Sequence, residues 1–274
     1  MPTQLVDLPD VRLAVHVAGH GLPVLLLHAF PLDHRMWSRQ EPLAGQVRLI
    51  VPDQRGFGGS RDAGGPASIE QLADDAVAVL DALHVDGPAV VCGCSMGGYV
   101  AQHLVVRHPD RVRALVLVDT KLESDTPEAQ AARADLAAKV RRLGTSVVAE
   151  AMVPRLLADG PAVAGGPDRD TLSAELRETI SGQSVETIVA ALMALAARPD
   201  MTEPLRGLPT PTLLVVGEHD RITPPDCLAR AEQLLGDPRL FIVPQAGHLA
   251  PLEAPAAFNA ALLAFLRQVA SLEH

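Results

Sequence analysis

The strongest constraint on the fold is a five-residue motif at positions 93–97, which reads Gly-Cys-Ser-Met-Gly. An apolar run at positions 89–92 precedes it and predicts a buried strand, and residues 98–104 continue with helical character. A serine at so sharp a strand-to-helix turn has a strained backbone, which leaves no room for side chains two residues before and after it. Gly93 and Gly97 meet this requirement. The motif therefore predicts that Ser95 is a nucleophile.

A serine hydroxyl is a poor nucleophile at neutral pH, so it needs a general base, and the base needs an orienting acid. The expected chain order after such a turn is serine, acid, histidine. Asp220 follows a predicted strand at positions 211–216, and His248 follows another at positions 240–244. The carboxyl ends of parallel strands lie along one edge of a sheet, so residues from three loops can converge there. We predict a triad of Ser95, His248 and Asp220.

Other residues compete for these roles. Asp119 also ends a predicted strand and is the rival acid, Glu218 is close to Asp220, and Cys94 is adjacent to the predicted nucleophile. A lone aspartate in a loop is usually a turn former. The joint placement of a serine, an acid and a histidine after three strands favours the triad over these alternatives.

Further loops carry a resemblance to a known family. Residues 24–31 form an apolar strand followed by His-Ala-Phe-Pro, and residues 53–60 read Asp-Gln-Arg-Gly-Phe-Gly-Gly-Ser. With the acid loop at 217–220 and the histidine loop at 247–248, the chain resembles the α/β-hydrolase superfamily over almost its whole length. The resemblance implies an α/β-hydrolase fold, with a mostly parallel central sheet flanked by helices and an inserted helical cap.

The same resemblance implies an oxyanion hole made by the backbone N–H groups of Phe30 and Met96. Such donors stabilise the negative oxygen of a tetrahedral intermediate, and the loss of one costs roughly 10²–10³ in rate. Ala29 stands where the family usually has a glycine.

A change of pattern after Asp119 predicts the domain organisation. From about position 121 to 203 there is helical periodicity without a convincing strand, and prolines and glycines divide it into roughly four helices. We predict a helical cap, or lid, over residues 121–203 and an α/β core over residues 1–120 and 204–271. The chain is expected to return to strand at residues 201–204.

Apart from these units, we predict an early strand at 11–17, a core strand at 47–51 and a helix at 68–83 with Ser68 as its N-cap. Leu272 to His274 resemble the start of a purification-tag remnant.

The pocket is predicted less directly. Candidate pocket residues are Trp37 and His28 near the oxyanion loop, Tyr99 after the nucleophile, and Met152 and Met193 in the cap. Apolar cap residues also have an ordinary explanation, because any helix that covers a core needs an apolar stripe.

Composition restricts the partners. The formal net charge of −10 argues against nucleic acid, which requires a basic face. Arg35 and Arg55 near the predicted entrance leave a carboxylate-bearing substrate open, beside a structural pairing role. The pattern contains no cofactor motif, and the histidines are too scattered along the chain to predict a metal site.

The predicted location is cytoplasmic. No apolar run reaches the roughly 18 to 20 residues of a membrane span, and the first residues lack the features of a signal peptide. An odd number of cysteines, three, is most simply explained by reduced thiols.

The predicted function is hydrolysis of a small carboxylic ester or lactone through an acyl-enzyme. The segment at 28–37 and the four-helix cap resemble small bacterial carboxylesterases and 3-oxoadipate enol-lactonases. The same triad would also serve a carbon–carbon bond hydrolase or a cofactor-free haloperoxidase or perhydrolase, and the fold also occurs in ligand-binding proteins without catalysis. The natural substrate and the oligomeric state stay open at this point.

Overall fold

The computed structural model describes residues 1–160, 163 and 165–271. Within these residues eight strands form one sheet in the order β1-β2-β4-β3-β5-β6-β7-β8. The strands are β1 (Thr3–Asp7), β2 (Arg12–Ala18), β3 (Pro23–Leu27), β4 (Arg48–Pro52), β5 (Ala89–Cys94), β6 (Val112–Val118), β7 (Thr212–Gly217) and β8 (Pro238–Val243). Strands β1 and β2 are antiparallel to their neighbours, and the pairs from β4 to β8 are parallel. This arrangement confirms the predicted α/β-hydrolase fold class.

The burial of the central strands follows from their sequences. Every residue of β5 and of β7 is buried. A parallel strand is covered by helices on both faces, so a continuous apolar run is what such a strand needs. The apolar runs of the sequence therefore lie in the middle of the sheet.

Helices cover the sheet and fill the connections. They are α1 (Ile69–Ala82), α2 (Met96–Arg107), α3 (Pro127–Leu143), α4 (Ser146–Leu156), α5 (Arg169–Ser181), α6 (Val185–Ala197), α7 (Pro225–Leu234), α8 (Ala250–Glu253) and α9 (Pro255–Ser271). A 3-10 segment (His34–Gly45) follows the loop after β3. The Ser68 hydroxyl accepts the N–H of Gln71, which confirms the predicted N-cap of α1.

Helices α3 to α6 lie between β6 and β7 in the chain. Helix α3 packs on α6, and α4 packs on α5. Three of the four begin at a side-chain cap, provided by Thr126, Asp168 and Ser184. The treatment of residues 121–203 as a separate lid stays a prediction.

Two local expectations were incomplete or wrong. The sequence analysis missed β1, because only Val6 of this edge strand is buried and the strand has no clear alternation. The expected return to strand at 201–204 is wrong, because residues 202–207 form turns and β7 begins only at Thr212. The intervening Pro209 and Pro211 lack the N–H groups that a central strand donates.

Among the described residues, no single helix is long and apolar enough to cross a membrane. Helices α5 and α6 meet the length and composition test only as a pair, and they are bent by 98° at the break between them. The three residues interpreted as a tag remnant lie outside the described part of the chain.

Candidate active site

Ser95 lies in the sharp turn between β5 and α2, with φ 51° and ψ −110°. This is a strained conformation for a residue other than glycine. A Cβ atom at Gly93 would lie 2.0 Å from the carbonyl oxygen of Gly97, and one at Gly97 would lie 2.1 Å from the carbonyl oxygen of Leu27. Both contacts are far too short, so the turn requires glycine at both positions, as the motif indicated.

The structure brings Ser95, His248 and Asp220 into one hydrogen-bonded chain. The Nε2 atom of His248 lies 2.9 Å from the Oγ atom of Ser95, and its Nδ1 atom lies 2.8 Å from Oδ2 of Asp220. The three residues follow β5, β8 and β7, at the carboxyl edge of the sheet. With Nδ1–H donating to Asp220, Nε2 is free to accept the serine proton. This is the arrangement that a general base requires.

The electrostatics of the pair favour an ionised Asp220. Burial alone would raise the pKa of Asp220, but His248 and the donated hydrogen bonds outweigh burial and lower this pKa. Burial also opposes protonation of His248, yet the charge and hydrogen bond of Asp220 raise the pKa of His248 above its usual value. An imidazolium at His248 would therefore be stabilised by its partner.

Thr223 was missed by the sequence analysis and completes the support of Asp220. Its hydroxyl donates to Oδ2 of Asp220 at 2.8 Å, and the N–H groups of Ile222 and Thr223 donate to Oδ1 at 2.8 and 3.0 Å. An aspartate that accepts the N–H of the residue two positions later is a common turn pattern. The sequence signal that could have identified Thr223 was its position three residues after an aspartate in a predicted turn.

The rival acids have other partners. The Asp119 carboxylate accepts the N–H groups of Gly217 at 2.8 Å and Ala250 at 3.1 Å, so it links the loops after β7 and β8. Burial and the nearby Asp220 raise the pKa of Asp119 to about 8. Glu218 is exposed and accepts the N–H of Gln245. Neither has a hydrogen bond to His248 within the described residues.

Cys94 is fully buried, and burial raises the pKa of its thiol well above the usual value. A thiol is nucleophilic as the thiolate. The environment of Cys94 thus disfavours the reactive form, while Ser95 beside it is in contact with the histidine.

The backbone around Phe30 and Met96 leaves two N–H groups available. The Phe30 N–H has no acceptor among the described residues. Met96 is the first residue of α2, and the first N–H groups of a helix have no acceptor within the helix. Met96 directly follows Ser95 in the turn, and Phe30 lines the cavity beside it. Their role as an oxyanion hole stays a prediction.

A cavity of about 410 Å³ lies beside this site. Its wall includes Phe30, Tyr99 and Thr223, which tie it to the oxyanion loop, to the helix after Ser95 and to the Asp220 loop. The rest of the wall comes largely from the helices between β6 and β7. The other lining residues are Lys121, Asp125, Ala129, Ala132, Arg133, Leu136, Met152, Arg155, Leu192 and Ile222.

Of the five predicted pocket residues, Tyr99 and Met152 line this cavity and the other three do not. Trp37 is fully buried and packs against Phe258, with ring centroids 6.1 Å apart. Met193 is 47% exposed, because it lies on the outer side of α6. These two expectations were wrong: the first residue faces the core and the second faces solvent.

His28 was also expected in the pocket and is instead a loop anchor. It is fully buried; its Nδ1 atom lies 3.1 Å from the carbonyl oxygen of Ala29, and its Nε2 accepts the N–H of Gln54 at 3.0 Å. Burial lowers the pKa of His28, which keeps the ring neutral as this bonding requires. His28 therefore holds the loop after β3 against the loop after β4.

The arginines near the predicted entrance have structural partners. Arg55 binds Asp75 through two hydrogen bonds of 2.8 and 2.7 Å and also pairs with Asp10. Arg35 pairs with Asp33 at 2.8 Å and lines a second, larger cavity of about 620 Å³. None of the residues that line this second cavity belongs to the hydrogen-bonded chain of Ser95, His248 and Asp220.

The histidines are scattered along the sequence, but in the structure two of them lie beside Asp53. His16 and His34 stack with ring centroids 3.4 Å apart, and their ring nitrogens lie 3.4 and 2.8 Å from the Asp53 carboxylate. The N–H groups of His34 and Gly59 donate to the same carboxylate. All the acceptor positions of Asp53 are thus in use, and the cluster, whose ligand atoms lie within 4.8 Å of one another, holds the loop at 53–60 in place.

Comparison with known proteins agrees with this geometry. Residues 23–255 match the α/β hydrolase fold family. The chain belongs to this family and is an enzyme of its esterase and lactonase type.

Individual relatives extend the comparison. A pimeloyl-[acyl-carrier protein] methyl ester esterase of Chromobacterium violaceum is 34% identical over 87% of this chain and 91% of its own. The structure of a thermophilic esterase from Thermogutta terrifontis, in a malate-bound form, has 36% identity and a TM-score of 0.91, covering 98% of this chain and 99% of its own. The structure of the enol-lactonase from Burkholderia xenovorans LB400 has 26% identity and a TM-score of 0.87, and the match covers 96% of this chain and 100% of its own.

Proposed function

We propose that this enzyme is a serine hydrolase that cleaves a small carboxylic ester or lactone through an acyl-enzyme intermediate. The observation that carries the proposal is the chain of contacts from Ser95 Oγ to His248 Nε2, 2.9 Å, and from His248 Nδ1 to Asp220 Oδ2, 2.8 Å. These contacts connect a nucleophile, a base and an orienting acid in the order that acyl transfer needs.

In the first half of the reaction, Ser95 Oγ attacks the substrate carbonyl carbon while its proton moves to Nε2 of His248. Asp220 holds the ring in the required tautomer and stabilises the imidazolium. The N–H groups of Phe30 and Met96 donate to the oxyanion. The intermediate then collapses, the bond to the alkoxy oxygen breaks, and the imidazolium protonates the departing oxygen.

In the second half, His248 takes a proton from water, and the resulting hydroxide attacks the carbonyl of the Ser95 ester. Collapse of this second intermediate returns the proton to Ser95 Oγ and releases the carboxylic acid. A lactone follows the same steps, except that the alcohol and the acid leave as one molecule.

The cavity of about 410 Å³ supports an acyl-binding role, since Phe30 and Thr223 join it to the site. Much of its wall is apolar, from alanine, leucine, methionine and isoleucine side chains. In this proposal helices α3, α4 and α6 act as the lid that excludes water and shapes the acyl pocket. A cytoplasmic location stays a prediction.

Active-site labelling tests the proposal. We expect a fluorophosphonate to add once, at Ser95, in the wild type, and p-nitrophenyl butyrate to be hydrolysed. Ser95→Ala, which removes only a hydroxyl, should remain folded by circular dichroism, take no label and lose turnover. A folded wild type that neither labels nor hydrolyses the ester would contradict the mechanism.

The alternative reactions considered for the same three residues are separated by substrate. A panel that includes a dienoic diketone for carbon–carbon cleavage, and peracid formation from acetate and hydrogen peroxide, identifies them. We expect ester or lactone hydrolysis to have the highest kcat/KM in this panel.

A further inference from the structure

The cavity beside Ser95 is lined by more cationic than anionic side chains, in a protein whose formal net charge is −10. Three cationic side chains and one carboxylate line it: Lys121, Arg133, Arg155 and Asp125. A cluster of cations in a chain with an excess of acid is the reverse of the overall balance. Local charge of this kind selects the ligand that a cleft binds.

Two of these three cations, Lys121 and Arg133, are paired with Asp125. The Asp125 carboxylate lies 2.8 Å from Arg198 and 3.7 Å from Lys121, and it also accepts the Arg133 Nε–H. Arg198 is almost fully buried, donates to the carbonyl oxygens of Leu195 and Glu123, and stacks over the Tyr99 ring at 4.1 Å. Asp125 is therefore shared by three cations, of which Lys121 and Arg133 line the cavity.

Arg155 is different, because it has no hydrogen bond or ion pair to any described residue. It lies one turn after Met152 on α4, and both residues line the cavity, Met152 half-buried and Arg155 exposed to solvent. The acid that follows it in the chain, Asp159, is already paired with Arg169 and Arg221. The guanidinium of Arg155 is thus a free bidentate donor on the wall of the acyl cavity.

The size of the cavity fits a short functionalised chain. At a volume of about 30 Å³ for each water-sized group, about 410 Å³ holds roughly a dozen non-hydrogen atoms. The wall that borders the oxyanion loop and the Asp220 loop, at Phe30 and Ile222, is apolar, and the guanidinium of Arg155 is on the same cavity. An acyl chain in this cavity would therefore share it with apolar side chains and with an unpaired cation.

We propose that the enzyme prefers substrates whose acyl part carries a second, free carboxylate, and that Arg155 binds this carboxylate. The substrate class is the half-ester of a dicarboxylic acid, or a lactone with a carboxylate-bearing side chain. This inference rests on the proposed function, because it assumes that the acyl group occupies the cavity. Arg155 is then a specificity-determining residue rather than a catalytic one, since it contacts the end of the substrate remote from the reacting carbonyl.

Two esters with the same leaving group and the same six-carbon acyl chain test the inference. They are mono-p-nitrophenyl adipate, which carries the free carboxylate, and p-nitrophenyl hexanoate, which does not. The readout is the ratio of their kcat/KM values, after subtraction of spontaneous hydrolysis. We expect the wild type to favour the adipate half-ester and this preference to weaken as NaCl is added.

Variants assign the preference to one side chain. Arg155→Gln should lower the ratio by about tenfold, the effect of losing one hydrogen-bonded charge pair, mainly through KM for the half-ester. Arg155→Lys keeps the charge and should retain part of the ratio. Arg177→Gln on α5 is the matched control. Arg177 is exposed and lies outside the cavity, and its substitution removes the same charge from the protein.

Competitive inhibition gives an independent reading. We expect adipate to inhibit hexanoate ester hydrolysis, with a Ki that rises by about tenfold in Arg155→Gln. The inference would be overturned if the ratio and the Ki were the same in the wild type and in Arg155→Gln. It would also be overturned if Arg177→Gln lowered the ratio and raised the Ki as much as Arg155→Gln does. Failure of the proposed function would look different, because the wild type would then hydrolyse neither ester.

Discussion

The edge of the sheet that holds Ser95 and the helical segment that forms most of the cavity wall are specified in different ways. At the sheet edge, backbone contacts fix the arrangement: Gly97 is pressed against the Leu27 carbonyl, and Asp220 is held by three donated hydrogen bonds. In the helical segment, side chains on the apolar faces of α3, α4 and α6 determine the shape. The first region has almost no freedom to change, whereas the second can vary with single side chains. Under the proposed function, reaction type and substrate range are therefore separable in this protein.

The largest expected effect comes from the acid of the sheet edge. Asp220→Asn should lower kcat on p-nitrophenyl butyrate on the order of 10⁴-fold, because an amide favours the wrong imidazole tautomer. Asp119→Asn is the matched control, as Asp119 is also buried at a strand end but bonds only backbone N–H groups. Equal losses in the two variants would remove the distinction between a catalytic and a structural acid.

A second test concerns the backbone itself. Gly97→Ala should lower the free energy of unfolding by at least about 3 kcal/mol, because its Cβ has backbone atoms within contact distance and no flexible neighbour to move. Gly45→Ala, where a Cβ meets open space, should change it by less than about 0.5 kcal/mol. Urea unfolding of both variants measures the difference. A Gly97→Ala protein with wild-type stability would show that the edge is more adaptable than its contacts indicate.

The helical segment should respond more mildly and more selectively. Met152→Trp fills part of the cavity and should lower kcat/KM for p-nitrophenyl octanoate by about tenfold relative to the acetate ester, because overpacking costs about 1–3 kcal/mol. Met193→Trp adds the same side chain on the exposed side of α6 and should leave the ratio unchanged. A ratio that responds to Met193→Trp alone would place the acyl chain elsewhere.

The smallest expected effect is on the pH profile. In the proposed mechanism His248 acts as a base only when neutral, so kcat/KM should rise with pH through the pKa of His248. Because the charge of Asp220 raises this pKa above its usual value, the midpoint for the wild type should lie above about 6.5. Asp220→Asn removes that charge, and its residual activity should show a midpoint at lower pH. A shift to higher pH would contradict the assigned pairing.

The contrast between the two regions also explains what could be predicted from sequence. The turn between β5 and α2 has steric requirements that only particular residues satisfy, so its geometry could be predicted from Gly93, Ser95 and Gly97. Trp37 and Tyr99 were equally close to predicted loops along the chain, but Trp37 lies on the core side of a 3-10 segment and Tyr99 lies one helical turn after Ser95.

Helical periodicity indicates which residues share a face, but it does not indicate what that face meets. Met152 and Met193 both belong to apolar patterns, and only the packing of α4 and α6 decides that one faces the cavity and the other solvent. The unpaired guanidinium of Arg155 could not be predicted from the sequence for the same reason. Whether an arginine is paired depends on side chains that are far from it in the sequence.

The contact between Ser95 and His248 has a consequence for how the chain folds. It joins residues 153 positions apart, with helices α3 to α6 in the intervening stretch. Closing so long a loop costs entropy that only the finished pairing of β5 through β8 repays. During refolding, fluorescence or helix content can recover while this contact is still open. Regain of turnover is therefore the signal that marks completion of the β5–β8 half of the sheet.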